Sequence, residues 1–194
     1  MGSREKILGQ IKANKPESLE LPAIDLGLFD EGLDLLQEFT KKVEVVGGNV
    51  IQIASENEVQ AKMTELFPDA KVKYSTLDET EAFNTLSIEA IQKPHDLEDL
   101  DILILKSDIA VAENGAVWLD DSKIPMRVLP FITKHLVFVL EEKSILGYMH
   151  EAYANIDDFG FGVFISGPSK TADIEQSLVI GAHGALSLTV FVKK

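Results

Sequence analysis

Apolar residues recur along this chain in two spacings, one typical of amphipathic helices and one typical of buried strands. The helical spacing, every third or fourth residue, marks the segments that begin near residues 3, 30, 55 and 144. A continuous apolar run, which suits a strand buried on both faces, occupies residues 102–105. Further strand-type segments rich in apolar residues occupy residues 49–54, 135–140 and 187–192. Alternation of helices with strands predicts an α/β domain built in layers.

Shorter features fill the spaces between these segments. We expect short helical pieces in the acidic stretch 75–100, and a hairpin or strand-crossing turn between the apolar runs 109–112 and 116–119. The helix after Ser144 should turn Met149 and Tyr153 inward.

The N-terminal segment has a different character from the rest. Ser3 can cap a short helix over residues 3–13, and Pro16 and Pro22 then bracket a polar stretch. We therefore predict a helical arm with its linker over residues 1–27 and one domain over residues 28–194. The apolar stripe of the arm packs either on its own domain or on a partner subunit.

A polar loop near the C-terminus is the strongest candidate site. A strand ending at Ile165 leads into this loop, and a helix is predicted from about Ala172 until Gly181 stops it. Backbone N–H groups and a cation at a helix N-terminus favour an anion, although a capped helix start without a ligand explains the pattern equally well. The predicted anion-binding residues are Ser166, Gly167, Ser169, Lys170 and Thr171.

Neighbouring residues restrict what this loop can bind. Pro168 occupies the position that lysine holds in a Walker-type phosphate loop, which excludes that nucleotide-binding motif. Asp173 and Glu175 suit the start of a helix but would repel an anion. If they face a substrate, a metal or a cationic partner becomes the alternative.

The Glu113-Asn114-Gly115 sequence separates two apolar runs. Asn and Gly accept positive φ angles, so a hairpin turn is the simpler interpretation. A carboxylate held partly desolvated at a strand end could instead act as a nucleophile or general base. Asn114 would then contribute to the ligand site.

Three further side chains are candidates on chemical grounds. His183, which follows the predicted helix, is either its C-terminal cap or a general acid or base. Arg127 could clamp a carboxylate through its planar fork, or pair with an acidic surface. His135 begins an apolar run and is mainly a structural residue, with a site role as the alternative.

Composition limits the classes of function. The net charge of −14, from 18 basic and 32 acidic residues, opposes nucleic-acid binding. The absence of cysteine excludes thiolate-held iron–sulfur clusters and zinc within this chain, and no histidine pair has metal-site spacing. No apolar run is long enough to span a bilayer, so we expect a cytoplasmic protein without a membrane segment.

Several motifs together resemble the lactate-utilisation (LUD) domain family, which includes lactate-utilisation protein C. They occupy residues 110–115, 130–135, 165–175 and 181–184, and the resemblance covers most of the chain. It implies a three-layer α/β/α, Rossmann-like fold similar to the sugar-phosphate isomerase and coenzyme A transferase superfamily. It also implies oxidation of L-lactate to pyruvate alongside separate iron–sulfur subunits, with a small carboxylate or phosphate-bearing ligand and no cofactor in this chain.

The chain departs from the family pattern at the candidate site. The family usually has Glu-Thr-Gly at residues 113–115, arginine at Lys170 and His-Gly-Pro at residues 183–185. Glu113-Asn114-Gly115 also resembles family I coenzyme A transferases, whose glutamate attacks an acyl-CoA. Acyl transfer with Glu113 as nucleophile is therefore one alternative to a role in lactate oxidation. A second alternative is a non-catalytic module for ligand binding or assembly, including a homo-oligomer.

Overall fold

The computed structural model describes residues 2–20, 22–23, 25–29, 32–156, 160–172 and 178–194. The chain divides into two compact units, Met1–Leu33 and Asp34–Lys194. The first unit contains helix α1 (Ser3–Ala13), as predicted. Gly2 rather than Ser3 occupies the N-cap position, and its N–H donates to Glu5 Oε2 at 2.9 Å. The predicted Ser3 cap is therefore wrong by one residue, because Ser3 is already helical.

The first unit also contains a 3-10 helix, Leu26–Phe29, and the second unit contains the remaining α-helices and all the strands of the described residues. Its α-helices are α2 (Leu35–Val45), α3 (Asn57–Leu66), α4 (Leu129–Ile132) and α5 (Met149–Ala154). Its strands are β1 (Asn49–Ile53), β2 (Lys73–Ser75), β3 (Ile102–Lys106), β4 (Ala110–Val111), β5 (Ala116–Asp120), β6 (His135–Glu141), β7 (Ile145–Leu146), β8 (Gly162–Ile165), β9 (Lys170–Ala172), β10 (Leu178–Ile180) and β11 (Ser187–Lys193). Short 3-10 helices occupy Asp78–Phe83, Ile88–Ala90 and Pro94–Leu97, as expected for the acidic stretch.

A five-stranded parallel sheet forms the centre of this unit. Its strand order is β1-β11-β6-β3-β2, and every neighbouring pair is parallel. The middle strands β3, β6 and β11 are buried along nearly their whole length. Both faces of these three strands are covered, which suits their mainly apolar sequences. The strands predicted over residues 49–54, 102–105, 135–140 and 187–192 are all confirmed, with β1 at the edge of the sheet.

Different layers cover the two faces of the parallel sheet. On one face, Val59 and Met63 of α3 pack with Phe83 against Ile104 and Val139. On the other face lie α2 and a second, four-stranded sheet with the order β7-β4-β5-β8. The predicted α/β class is confirmed, although one flank combines a helix with a small sheet instead of consisting of helices alone.

Two local predictions are wrong. The helix predicted from Ala172 to Gly181 is contradicted at both of its described ends, because Ala172 belongs to β9 and Leu178–Ile180 forms β10, which pairs antiparallel with β9. Residues 173–177 lie outside the described residues. Ser144 ends a short 3-10 helix instead of capping a long one, and α5 begins only at Met149. Tyr153 is 63% exposed, so it does not face the core as predicted.

Among the described residues, no helix is both long enough and apolar enough to cross a membrane.

Candidate functional site

The antiparallel pairing of β5 with β8 joins two of the predicted motif segments. Val117 lies opposite Ile165, so the turn before β5 and the loop after β8 reach the same end of this small sheet. There Ser166 Oγ donates a hydrogen bond to the carbonyl oxygen of Asn114, over 2.8 Å. The two segments are therefore in direct contact, although they are separated by about fifty residues in sequence.

The segment before β11 completes the same cluster. The Ser169 N–H donates to the Ala185 carbonyl and the Gly181 N–H donates to the Ser169 carbonyl, both over 2.9 Å. A Cβ on Gly184 would lie 3.0 Å from the Ser169 Cβ, so these backbones pack closely. We call residues 113–115, 166–171 and 181–184 together the motif cluster.

Two glycines let the motif cluster pack directly against the end of α2. Gly115 has φ +68°, and a Cβ there would lie 2.8 Å from the Val43 backbone nitrogen. Gly167 has φ +74°, and its Cβ would lie 2.8 Å from the Val46 carbonyl oxygen. Only glycine combines a positive φ with such close backbone approach, which explains why both motifs contain it.

Lys170 extends along the end of α2. Its Nζ atom lies 3.0 Å from the position that a Cβ would occupy on Gly47, just after the Val46 C-cap. A helix C-terminus has a partial negative charge that favours a cation. The structural basis predicted for an anion site therefore changes: no helix begins at Ala172, and the helix end nearest Lys170 is a C-terminus. Lys170 remains exposed.

Glu113 is exposed and has a structural partner. Its Oε2 atom accepts the Met149 N–H at 2.9 Å, so this carboxylate caps the start of α5. Asn114 Oδ1 accepts the Ala116 N–H at 3.0 Å and stabilises the turn, as the hairpin interpretation requires. The nucleophile hypothesis assumed a partly desolvated carboxylate, which differs from this exposed position. A catalytic role for Glu113 stays a prediction.

Of the other predicted residues, one lies within the motif cluster, one lies at the far end of β5 and two fall outside the described residues. His183 is exposed within the motif cluster. Arg127 instead makes a bidentate ion pair with Asp121 at the opposite end of β5, over 3.0 and 2.8 Å. Five residues of β5 separate that end from Asn114, roughly 15 Å at about 3.3 Å per residue. Asp173 and Glu175 fall outside the described residues.

His135 lines a separate cavity of about 270 Å³. Its ring stacks on Phe67 at 3.8 Å between centroids, and its Nδ1 atom is 2.8 Å from Ser187 Oγ. Burial lowers the pKa of His135, which favours the neutral imidazole, while Asp101 acts in the opposite direction. A site role for His135 stays a prediction, distinct from the motif cluster.

Sequence reasoning missed an ion-pair network at the carboxyl edge of the parallel sheet. Glu56 pairs with Lys106 at 3.3 Å and with Lys193 at 3.5 Å, and Lys193 also pairs with Glu141 at 3.4 Å. The signal in the sequence is a charged residue directly after three of the four strand segments, at Lys106, Glu141 and Lys193. Ligands of open α/β sheets bind at this edge, so these charged residues lie where a ligand of such a sheet is expected.

Comparison with known proteins identifies the family. The LUD domain model matches residues 36–192, which includes the parallel sheet and the motif cluster. This chain belongs to the LUD domain family. The resemblance seen in the motifs is thereby confirmed.

Several relatives are named Lactate utilization protein C. The protein from Oceanobacillus iheyensis is 33% identical over 103 residues, covering 49% of this chain and 44% of the relative. The Shouchella clausii protein is 35% identical over 102 residues, with the same coverage of both chains. These matches thus span less than half of each relative. Lactate utilization protein C 1 from Bacillus mycoides is 24% identical over 221 residues, covering 95% of this chain and 94% of the relative.

A solved structure supports the fold. The DUF162 family protein from Deinococcus radiodurans is similar with a TM-score of 0.59 and 16% identity. The similarity covers 83% of this chain and 97% of that one. At this level of identity the likeness shows the fold alone.

Proposed function

We propose that this chain is a component of L-lactate utilisation without an iron–sulfur cluster of its own. It serves as a subunit or accessory factor in the oxidation of L-lactate to pyruvate, and it binds a small carboxylate at the motif cluster. Partner subunits with iron–sulfur clusters accept the two electrons that this oxidation releases. The name shared by the relatives and the LUD domain match support the assignment to lactate utilisation.

The contact between Ser166 and Asn114 is the observation that carries the proposal. It joins two motif segments that are distant in sequence. Ser166, Lys170 and His183 are all exposed in the assembled cluster, so a hydroxyl, an ammonium and an imidazole can be reached from solvent. These groups suit a 2-hydroxy acid, which offers a carboxylate and a hydroxyl.

Charge decides whether Lys170 can hold a carboxylate beside the end of α2. A helix C-terminus is equivalent to roughly half a negative charge, whereas the ammonium has a full positive charge. The attraction between a bound carboxylate and the Lys170 ammonium therefore exceeds its repulsion by the helix C-terminus. Lysine acts as a point charge and lacks the planar fork of the arginine usual in the family, so Lys170→Arg should preserve or strengthen binding.

His183 is the candidate acceptor for the hydroxyl proton of the substrate. An exposed imidazole nitrogen can accept a proton from a bound hydroxyl group, which suits a general base. Glu113 also belongs to the cluster, and its carboxylate is held in position by the hydrogen bond that it accepts from the Met149 N–H. Because the chain has no cysteine, thiolate-held clusters must belong to the partners.

Growth on L-lactate as sole carbon source tests the proposal in the native host. Deletion of the gene should abolish growth, and the wild-type gene should restore it. Lys170→Ala should fail to restore growth, whereas Lys143→Ala, which alters a lysine that is 83% exposed at the other edge of the sheet, should succeed. A deletion strain that grows like its parent would overturn the proposal.

Calorimetry with L-lactate and pyruvate separates ligand binding from assembly. Lys170→Ala should weaken binding roughly tenfold or more, because a charge-assisted hydrogen bond is lost. The assembly-module alternative has a different signature. It predicts that Lys170→Ala and Glu113→Ala leave ligand binding unchanged, while removal of residues 1–15 prevents complex formation.

A further inference from the structure

A second cavity lies at the end of β5 opposite the motif cluster. Its volume is about 460 Å³, within the usual range for small-molecule pockets. Asp120 at the end of β5 and Asp108 in the loop after β3 belong to its rim. The motif cluster lies at the other end of β5, so this cavity is a separate feature that the lactate proposal does not use.

An apolar wall closes one side of the cavity. Trp118, Ile109 and Ile156 contribute to this wall. The indole is fixed in place, since its Nε1 atom donates to Asp120 Oδ2 at 3.2 Å and its ring packs on Phe164 at 4.7 Å between centroids. A rigid aromatic ring beside open volume offers a surface on which an apolar or cationic group can rest.

The rim of the cavity has an excess of negative charge. Asp108 pairs with Lys123, and Asp121 pairs with Arg127 at 2.8 Å. Asp120 accepts hydrogen bonds from the Ser122 N–H, the Ser122 hydroxyl and the indole. Since three carboxylates here face two cations, a net charge of about −1 remains among the described residues.

Asp120 keeps its negative charge at neutral pH. Partial burial would raise the pKa of Asp120, but hydrogen bonds from Ser122 and Trp118, together with nearby Lys123, outweigh burial and lower it. A carboxylate has about four lone-pair sites, and its three donors leave room for one more. The carboxylate can therefore accept a hydrogen bond from a ligand inside the cavity.

We propose that this cavity binds a small organic ammonium ion, whose charged nitrogen contacts Asp120 and whose apolar body rests on Trp118 and Ile109. The carboxylate selects the positive charge, and the wall selects an apolar substituent. A hydrated metal ion would leave the wall unused. A neutral apolar molecule would leave the excess carboxylate charge uncompensated.

Fluorescence gives a direct measurement, because Trp118 is the single tryptophan of the chain. The full-length protein is titrated with benzylammonium, with benzyl alcohol as the neutral isostere and benzoate as the anionic one. Benzylammonium should give a saturable change, and the other two should bind at least tenfold more weakly. Equal binding of benzylammonium and benzyl alcohol would overturn the proposal, as would a saturable response to Mg²⁺ without one to benzylammonium.

Variants locate the site. Asp120→Asn should weaken benzylammonium binding roughly tenfold or more, because the charge of the acceptor is removed. Glu142→Gln removes an exposed carboxylate outside this cavity and should leave the affinity unchanged. Ligand-observed NMR serves as a second readout, since Asp120→Asn also alters the surroundings of the indole. Unchanged binding to Asp120→Asn would overturn the proposal.

Ile109→Arg provides an independent test if Asp120→Asn does not fold. It places a guanidinium on the wall, where it occupies volume and repels a cationic ligand. Benzylammonium binding should be lost while circular dichroism and Tm are retained. Binding that persists in a folded Ile109→Arg protein would overturn the proposal.

Discussion

Asp101 is a carboxylate held by three hydrogen-bond donors. It accepts hydrogen bonds from the Lys71 N–H at 2.7 Å, the Val72 N–H at 2.9 Å and Lys134 Nζ at 2.7 Å. Burial alone would raise the pKa of Asp101, but the bonds from Lys134, Val72 and Lys71 outweigh it and lower the pKa to about 2. The ionised side chain thus links the start of β3 to the segment before β2.

Asp101→Asn should reduce stability in a pH-dependent way. The folded pKa of about 2 lies below the ordinary value of 3.8, so the carboxylate stabilises the fold above about pH 4. That contribution is lost as pH falls from about 4 towards 2. Because Lys134 is 45% exposed, solvent screens the pair, and we expect a loss of only about 1 kcal/mol at pH 7.

Urea unfolding of wild-type protein and Asp101→Asn at pH 7 and at pH 3 measures this effect. The difference in unfolding free energy should shrink at the lower pH. Asp69→Asn, which changes an exposed carboxyl nearby, should differ from wild type by less than about 0.5 kcal/mol at both pH values. A difference for Asp101→Asn that is the same at both pH values would contradict the assigned ionisation.

At the scale of elements, sequence patterns predicted best where a strand is buried on both faces. β3, β6 and β11 lie in the middle of the parallel sheet, so their apolar runs have a single structural explanation. The role of Asp101 had no such signal, because its partners Lys71 and Val72 are about thirty residues away. The spacing of residues along the chain does not predict hydrogen bonds between segments so far apart in sequence.

At the helix predicted after Ala172, the sequence pattern gave the wrong secondary structure. Local periodicity around this segment suited a helix, but Val179 and Ile180 are β-branched and pair with β9. A short segment takes the conformation that its pairing partner stabilises, and pairing was not visible in the sequence. The consequence reaches the candidate site, since the helix N-terminus expected there is replaced by the antiparallel strands β9 and β10.

Packing of the β4–β5 turn against α2 yields a test at the same scale. Gly115→Ala places a Cβ 2.8 Å from the backbone of Val43 and forces alanine to adopt φ +68°. We expect a loss of about 2–4 kcal/mol, since backbone strain adds to displacement of the helix. Gly47→Ala is the matched control, because its φ is +88° but the nearest atom is the flexible tip of Lys170.

Thermal and urea unfolding compare the two alanine variants. Gly47→Ala should lose only about 1 kcal/mol, the usual cost of a positive φ. Equal losses for both variants would mean that the close contact between the turn and α2 has no effect on stability.

At the scale of the whole molecule, the register of the small sheet determines which of the predicted residues lie together. Residues 113–115, 166–171 and 181–184 were selected for their side-chain chemistry and also belong to segments that resemble the family, and they form one cluster in the structure. The remaining family segment, residues 130–135, ends at His135 in a separate cavity. Arg127 was selected because a guanidinium suits a carboxylate, yet it pairs with Asp121 at the far end of β5. Chemistry alone could not locate it, because the register of β5 with β8 determines which end each residue reaches.

The second unit, Asp34–Lys194, contains complete hydrophobic cores of its own. Two hydrophobic cores consist of residues of this unit. Phe39 and Leu119 belong to the core on the α2 face, and Met63 and Phe191 belong to the core on the α3 face. A unit of this size normally buries about 70% of its unfolded surface, enough for independent stability. We therefore expect residues 34–194 to fold without residues 1–33.

Removal of residues 1–33 should shift Tm by less than about 4 °C, which corresponds to about 1 kcal/mol for a chain of this length. Scanning calorimetry of both proteins measures the shift, and a single cooperative transition should be retained. Phe138→Ala serves as the destabilised reference, because it opens a cavity at a fully buried position. It should lower the free energy of unfolding by about 3–5 kcal/mol. A truncated protein as unstable as Phe138→Ala would show that the second unit depends on the first, because its own cores would then be insufficient to fold it.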